Sequence, residues 1–314
     1  MLAITLENLQ DELINASMQQ PVLLDIWAPW CGPCKQLTPV LERLETAYAG
    51  RFKLAKLNSD EQPEIAGQLS QMFGVRSIPF CVLFKDGQPV DGFVGALPDA
   101  EVRAFLDRHV PSAEEVAAEE ETEAAGELLA EGDTESALGK LQEAVAINPA
   151  NDNARFEYLR ALLGAGRVDD ARRIYEPVAG NVLLDPRLAA CGVWIAAFDG
   201  AAKARSPEQL ATAIAANKRD FDARFELAQT HFAAQRFTEA MDELLEIIMR
   251  DKAWRDELAR KNYVAILELM RKAAPAKAEA AAPKGALELA GKVLATPADP
   301  VVDAYRRKLS MALF

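Results

Sequence analysis

Two cysteines two residues apart, Cys31 and Cys34 in Trp30-Cys31-Gly32-Pro33-Cys34, are the side chains of this sequence best suited to covalent chemistry. The attacking species in disulfide exchange is a thiolate, and an ordinary cysteine is mostly thiol at neutral pH. The surrounding pattern supplies a reason for the thiolate to form. Val22 to Trp27 is a nearly continuous apolar run, as expected of a buried strand. Cys31 to Tyr48 has helical periodicity, with Leu37, Val40, Leu41, Leu44 and Tyr48 on one face. Cys31 therefore stands at a helix N-terminus, where unpaired N–H groups and the positive end of the helix dipole favour an anion. Pro33 is compatible with a first helical turn. The spacer places Cys34 one turn below Cys31. Cys31 can then attack a substrate disulfide, and Cys34 can resolve the mixed disulfide. The expected chemistry is thiol–disulfide exchange by a redox-active Cys31–Cys34 pair, with no other cofactor.

The other candidate ligands and nucleophiles are sparse. With Cys81 and Cys191 the chain has four cysteines, too few for a structural disulfide framework at this length, and both further cysteines are expected to be buried thiols. With one C-x-x-C and two histidines, His109 and His231, no metal site is expected. Each histidine lies in a helical context without clustered ligands, which points to surface or capping roles. The 314 residues carry 48 acids against 35 bases, a formal charge of −13, with no Lys/Arg-rich tract. Phosphate binding relies on clustered cations, so neither nucleic acid nor an anionic membrane surface is an expected partner. The first twenty residues lack a basic region followed by an apolar one, and no stretch approaches the length of a membrane span. The cytoplasm is the expected compartment.

The elements that must hold the dithiol alternate between strand-like and helix-like patterns. The reading is a strand at Ala3 to Leu6, a helix through Met18, strands at Val22 to Trp27 and Phe52 to Leu57, and a helix from Glu61 to Phe73. A strand at Phe80 to Lys85, a turn at Asp86-Gly87, a weak strand at Gln88 to Gly95 and a closing helix at Asp99 to His109 complete the pattern. Such alternation implies a layered α/β domain over residues 1–111. From Pro111 on the strand pattern vanishes. Seven glutamates between Glu114 and Glu127 read as a solvated helix face or linker.

Residues 112–314 are expected to be all-α with an internal repeat. Leu128-Leu129, Gly132 and Ala137 recur 34 residues later as Leu162-Leu163, Gly166 and Ala171, the period of a tetratricopeptide unit. The small residues are expected to let paired helices approach closely. Ala154-Arg155-Phe156-Glu157 recurs 69 residues on as Ala223-Arg224-Phe225-Glu226, and Ala171 as Ala240. The segment between, with Cys191 and Trp194, reads as a degenerate pair, giving three to four helix-hairpin units. These bury their apolar faces by stacking and form a grooved surface. Residues 273–285 are a low-complexity Ala/Pro/Lys insertion, followed by helices at Ala286 to Leu294 and Asp299 to Phe314.

Residues 1–110 resemble thioredoxin across their length, on Asp25-Ile26-Trp27-Ala28-Pro29-Trp30-Cys31-Gly32-Pro33-Cys34-Lys35, Ala55-Lys56-Leu57-Asn58, Gly74-Val75-Arg76-Ser77-Ile78-Pro79 and Phe84-Lys85-Asp86-Gly87. The resemblance implies a central mixed sheet flanked by helices. It implies that Asp25 is a buried carboxylate assisting proton transfer at Cys34, with Lys56 near it. Desolvation would raise its pKa, as suits a general base. It also implies that Pro79 is a cis-proline whose backbone pairs with an extended substrate segment, and that Trp30 gives an apolar contact surface beside Gly32 and Pro33. Phe80 departs from the pattern, which usually has Thr after the cis-proline. It would either alter the contact surface or pack at the rim.

A thioredoxin domain followed by degenerate tetratricopeptide repeats resembles the bacterial chaperedoxin family (the CnoX/YbbN type) over essentially the whole chain. Gly87-Gln88-Pro89-Val90-Asp91-Gly92-Phe93 and Tyr305-Arg306-Arg307-Lys308-Leu309 add to that resemblance. It implies a redox-active co-chaperone that holds unfolding or oxidised client proteins, forms mixed disulfides with them and passes them to a GroEL-type chaperonin. The C-terminal Tyr305, Arg306, Arg307, Leu309, Leu313 and Phe314 would make the chaperonin contact, and thioredoxin reductase is a further candidate partner. The residues alone leave open a plain protein disulfide reductase whose repeats dock one fixed partner.

Overall fold

Five strands form one sheet: β1 (Leu2–Ala3), β2 (Val22–Trp27), β3 (Lys53–Asn58), β4 (Phe80–Lys85) and β5 (Gln88–Val94), in the order β1-β3-β2-β4-β5. The computed structural model describes residues 2–181, 185–271 and 299–313. β2 pairs with β3 in parallel and with β4 antiparallel, so the apolar run that carries Asp25 is central and hydrogen-bonded on both edges. A strand buried on both faces needs apolar side chains pointing both ways. Leu23 packs on one face with Leu37, Leu41 and Leu44 of α1 (Gly32–Ala47) and with Val102 and Phe105 of α3 (Asp99–Leu106). Leu24 and Ile26 pack on the other with Ile65 and Leu69 of α2 (Pro63–Phe73) and with Leu9 and Leu13.

The first strand is shorter than Ala3 to Leu6, because Asn8 offers the chain a local alternative. Its side chain accepts from Thr5 N at 2.8 Å and donates to Ala3 O at 2.8 Å, which turns the backbone out of the sheet. The helical stretch that follows is irregular, a wide turn at Gln10–Asn15 and a tight one at Ala16–Met18. The closing helix ends at Leu106, short of His109. Gly92 on β5 is needed for close approach: a Cβ there would lie 2.7 Å from Cys81 O and 3.2 Å from the Phe80 ring.

The chain divides into two compact units, the first running up to Val116 and the second beginning at Ala117. α4 (Ala113–Glu131) starts at a capping box in which Glu115 N donates to Ser112 Oγ and Ser112 N to a Glu115 carboxylate oxygen. Beyond it come α5 (Thr134–Ile147), α6 (Asp152–Gly164), α7 (Val168–Tyr175), α8 (Pro186–Lys203), α9 (Pro207–Ala216), α10 (Phe221–Ala233), α11 (Phe237–Arg250), α12 (Trp254–Met270) and α13 (Pro300–Leu313). The described part of the second unit is all-helical, with four pairs, α4–α5 to α10–α11, followed by α12 and α13. The low-complexity stretch 273–285, the helix expected at Ala286 to Leu294, and Phe314 lie outside the described residues.

Each recurring residue has a structural task. Gly132 and Gly166 take φ of +88° and +73° just past α4 and α6. There the next N–H bonds back to a leucine carbonyl, Asp133 N to Leu128 O at 2.9 Å and Arg167 N to Leu162 O at 2.8 Å. These glycines end helices, and no atom presses on either, so close approach is not their role. That role falls to Ala137, Ala171 and Ala240, all fully buried. Arg155 and Arg224 are buried and reach back to the preceding loop, Arg155 Nη2 to Pro149 O at 2.6 Å and Arg224 Nε to Lys218 O at 3.1 Å. Asn151 and Asp220 cap α6 and α10 by accepting from Ala154 N and Ala223 N. Trp194 of the degenerate pair is buried, with the rings of Phe232 at 6.1 Å and Phe237 at 5.5 Å.

Candidate active site

Cys31 is the N-cap of α1, with extended backbone, and its Sγ accepts from Cys34 N at 3.2 Å. Pro33 lies in the first turn, where a missing N–H leaves no helical bond unmade. Cys31 and Cys34 are joined as a disulfide and pack with Ala28, Trp27 and Ile78. When that bond opens, the N–H donor aimed at Cys31 Sγ and the helix N-terminus are already in place to hold a thiolate. Trp30 is 70% exposed beside the pair, and its indole N–H donates to Asp60 Oδ2 at 3.0 Å.

Asp25 has no exposed surface. It stands in register with Lys56 on β3 and Cys81 on β4. Lys56 is itself nearly buried and pairs with Glu42 of α1 at 3.3 Å. Cys81 Sγ–H donates to Asp25 Oδ1 at 3.8 Å, while Oδ2 has no hydrogen-bond partner among the described residues. Burial raises the Asp25 pKa from 3.8 to about 6, against the opposing pull of the Lys56 charge and the Cys81 hydrogen bond. Burial pushes the Cys81 thiol well above its ordinary value, and the Asp25 charge adds to this. The Cys191 thiol, buried in α8, is pushed up to about 12 mainly by desolvation.

The Ile78–Pro79 peptide is cis. Pro79 has no N–H, and its carbonyl accepts from Gly95 N at 2.8 Å. Phe80 is 1% exposed and packs edge-on against Phe73 at 5.6 Å, in the cluster on the sheet face opposite Asp25. It is a packing residue, not part of a contact surface. Asp60, Glu42 and Cys81 are neighbours of the site that sequence reasoning missed. Only Asn58-Ser59-Asp60 carried a local signal, an Asx turn in which Asp60 N donates to Asn58 Oδ1.

The C-terminal residues divide. Arg306 and Arg307 are exposed. Tyr305 is buried, with its hydroxyl donating to Asp242 Oδ1 at 3.0 Å and its carbonyl accepting from Tyr263 at 2.8 Å. Leu309 and Leu313 pack partly against the helical core. His109 lies 2.8 Å from Asp91 Oδ2 and His231 is half-buried in α10. Among the described residues no group of three or more His, Cys, Asp or Glu side chains is arranged to hold a metal ion, and no helix is long and apolar enough to cross a membrane.

The thioredoxin family model matches residues 1–108, and tetratricopeptide-repeat models match residues 128–190 and 200–281. Thioredoxin 1 of Synechococcus elongatus is 43% identical over 108 residues, 34% of this chain and 95% of that protein. The thioredoxin of Chlorobaculum thiosulfatiphilum is 45% identical over 104 residues, 33% of this chain and 91% of that protein. The thioredoxin of Haemophilus influenzae is 44% identical over 99 residues, 32% and 89% respectively. The Cys31–Cys34 pair at the head of α1 is accordingly a thiol–disulfide oxidoreductase centre in which the cysteines themselves are the redox group. The chain belongs to the thioredoxin family, as a thioredoxin domain followed by tetratricopeptide repeats.

Proposed function

We propose that this protein is a redox-active co-chaperone: it forms mixed disulfides with unfolding or oxidised client proteins, holds them, and releases them to a GroEL-type chaperonin. The observation that supports this reading is a dithiol centre on one chain with an array of paired helices that share a core of their own. The reaction begins with the Cys31 thiolate attacking one sulfur of a client disulfide and expelling the other as a thiolate. Asp25 takes the proton of Cys34, which attacks Cys31 Sγ and expels the second client sulfur. The client gains two electrons from the dithiol, its two thiolates take up the proton held by Asp25 and one from solvent, and the Cys31–Cys34 disulfide re-forms. Trp30 supplies apolar contact. With the Pro79 carbonyl engaged by Gly95, an extended client segment pairs with the backbone of Ile78, which packs beside both cysteines. Arg306 and Arg307 offer the exposed C-terminal charges for a chaperonin, and the cytoplasm, where thiols stay reduced, is the compartment.

The test is thermal aggregation of a client that contains no cysteine, with and without the full-length protein. Suppressed light scattering that survives Cys31→Ser supports holding as a property separate from exchange. Unchanged aggregation, with insulin disulfides still reduced, overturns the holding claim and leaves a disulfide reductase whose repeats dock a fixed partner.

A further inference from the structure

Cys81 is one of two buried thiols that the exchange reaction leaves unused, and the one that lies in the sheet. It stands directly opposite Asp25 in the antiparallel β2–β4 register, so both side chains leave the sheet on one face. That face is covered by α1, where Cys81 packs with Leu23, Leu37 and Leu41. Cys34 precedes Leu37 by three residues and shares its helix face. Asp25 and Cys81 are both 0% exposed, and the thiol reaches Oδ1 at 3.8 Å. Oδ2 is the buried, unpartnered oxygen. One carboxylate oxygen is therefore tethered and the other keeps its lone pairs free.

The charged and titratable groups around Asp25 come from each packed element. β3 brings Lys56, α1 brings Glu42, and β4 brings Cys81. Lys56 is engaged with Glu42, which leaves the Cys81 S–H as the hydrogen-bond donor to Asp25. Burial and the Asp25 charge keep this thiol protonated, so it remains a donor.

We propose that Cys81 is a positioning residue for disulfide exchange: its S–H holds Asp25 Oδ1 and turns Oδ2 into the oxygen that receives the Cys34 proton. This rests on the reading of Asp25 as proton acceptor. A donor to the charged form of a carboxylate favours ionisation, so removing the donor must move the titration of Asp25 upward.

The experiment uses the full chain with Cys81→Ala, Cys81→Val and Cys81→Ser. The Asp25 carboxyl carbon is titrated by NMR in the disulfide form, and insulin reduction is measured against pH. Cys81→Ala opens space and Cys81→Val fills it, and neither donates. Both are expected to raise the Asp25 midpoint by about half to one pH unit, with the rate profile moving the same way, and Cys81→Ser is expected to restore both. A purely structural Cys81 would lower the melting temperature and leave the midpoint in place. An unmoved midpoint in the Ala and Val variants, or a Ser variant displaced as far as Ala, overturns the role of Cys81. A moved midpoint with an unmoved rate profile overturns Asp25 as the proton acceptor.

Discussion

Asp25 pays for its position between two apolar strands with a pKa raised by burial from 3.8 to about 6, despite the lowering by Lys56 and the Cys81 thiol. A carboxyl whose pKa rises on folding contributes stability that is fully present below 3.8 and is lost as the pH climbs through about 6. At pH 8 the loss is roughly 3 kcal/mol, because each pH unit is worth about 1.4 kcal/mol. Asp25→Asn is expected to stabilise the sheet unit by about that much at pH 8 and hardly at all at pH 4. Urea unfolding followed by hydrogen exchange of the β2 and β4 amides measures it, and an equal effect at both pH values would contradict the assignment. The dithiol is legible in the sequence because a buried-type strand ends just before it and a helix starts on it, and Asp25 and Pro79 are legible through the motifs shared with thioredoxin. Phe80 and Cys81 are not. Alternation says that they face opposite ways, but which face holds Asp25 depends on the cross-strand register of β2 and β4, set by chain more than fifty residues away.

The helices show which part of a repeat is chemistry and which is geometry. The period of 34 residues is visible because Gly132 and Gly166 must adopt left-handed backbone where α4 and α6 end. A third copy of this position is Gln235, with φ of +59° after α10, and its side chain compensates by donating to Gly164 O at 2.9 Å. Left-handed backbone costs an L-residue roughly 1–2 kcal/mol, and glycine adopts it freely. Gly166→Ala is expected to lower stability by about 1 kcal/mol, read as a drop in the melting of the helical circular-dichroism signal. Gln235→Gly is expected to be neutral or to raise stability by up to about 1 kcal/mol, since relief of strain is offset by the lost hydrogen bond. Ala171→Leu inserts bulk at a fully buried helix contact and is expected to cost about 1–3 kcal/mol. Sequence alone assigned the glycines and alanines one shared packing role. The backbone angles separate them, and the sign of φ is not written in the pattern of small residues.

At the scale of the whole molecule, the two units differ in what the sequence discloses. The sheet unit carries its reaction in a few adjacent residues. The helical unit spends most of its apolar residues, including Trp194, Cys191 and Tyr305, on its own core, so its repeat pattern describes how it stands and not what it grips. The central claim is that Cys31 attacks clients and Cys34 resolves them. The most direct measurement is mass spectrometry, under non-reducing conditions, of full-length Cys34→Ala incubated with a disulfide-containing client at its unfolding temperature. The expected result is a client adduct on Cys31 that dithiothreitol releases, absent when Cys31→Ser is combined with it. No adduct, or an adduct that persists without Cys31, would contradict the account.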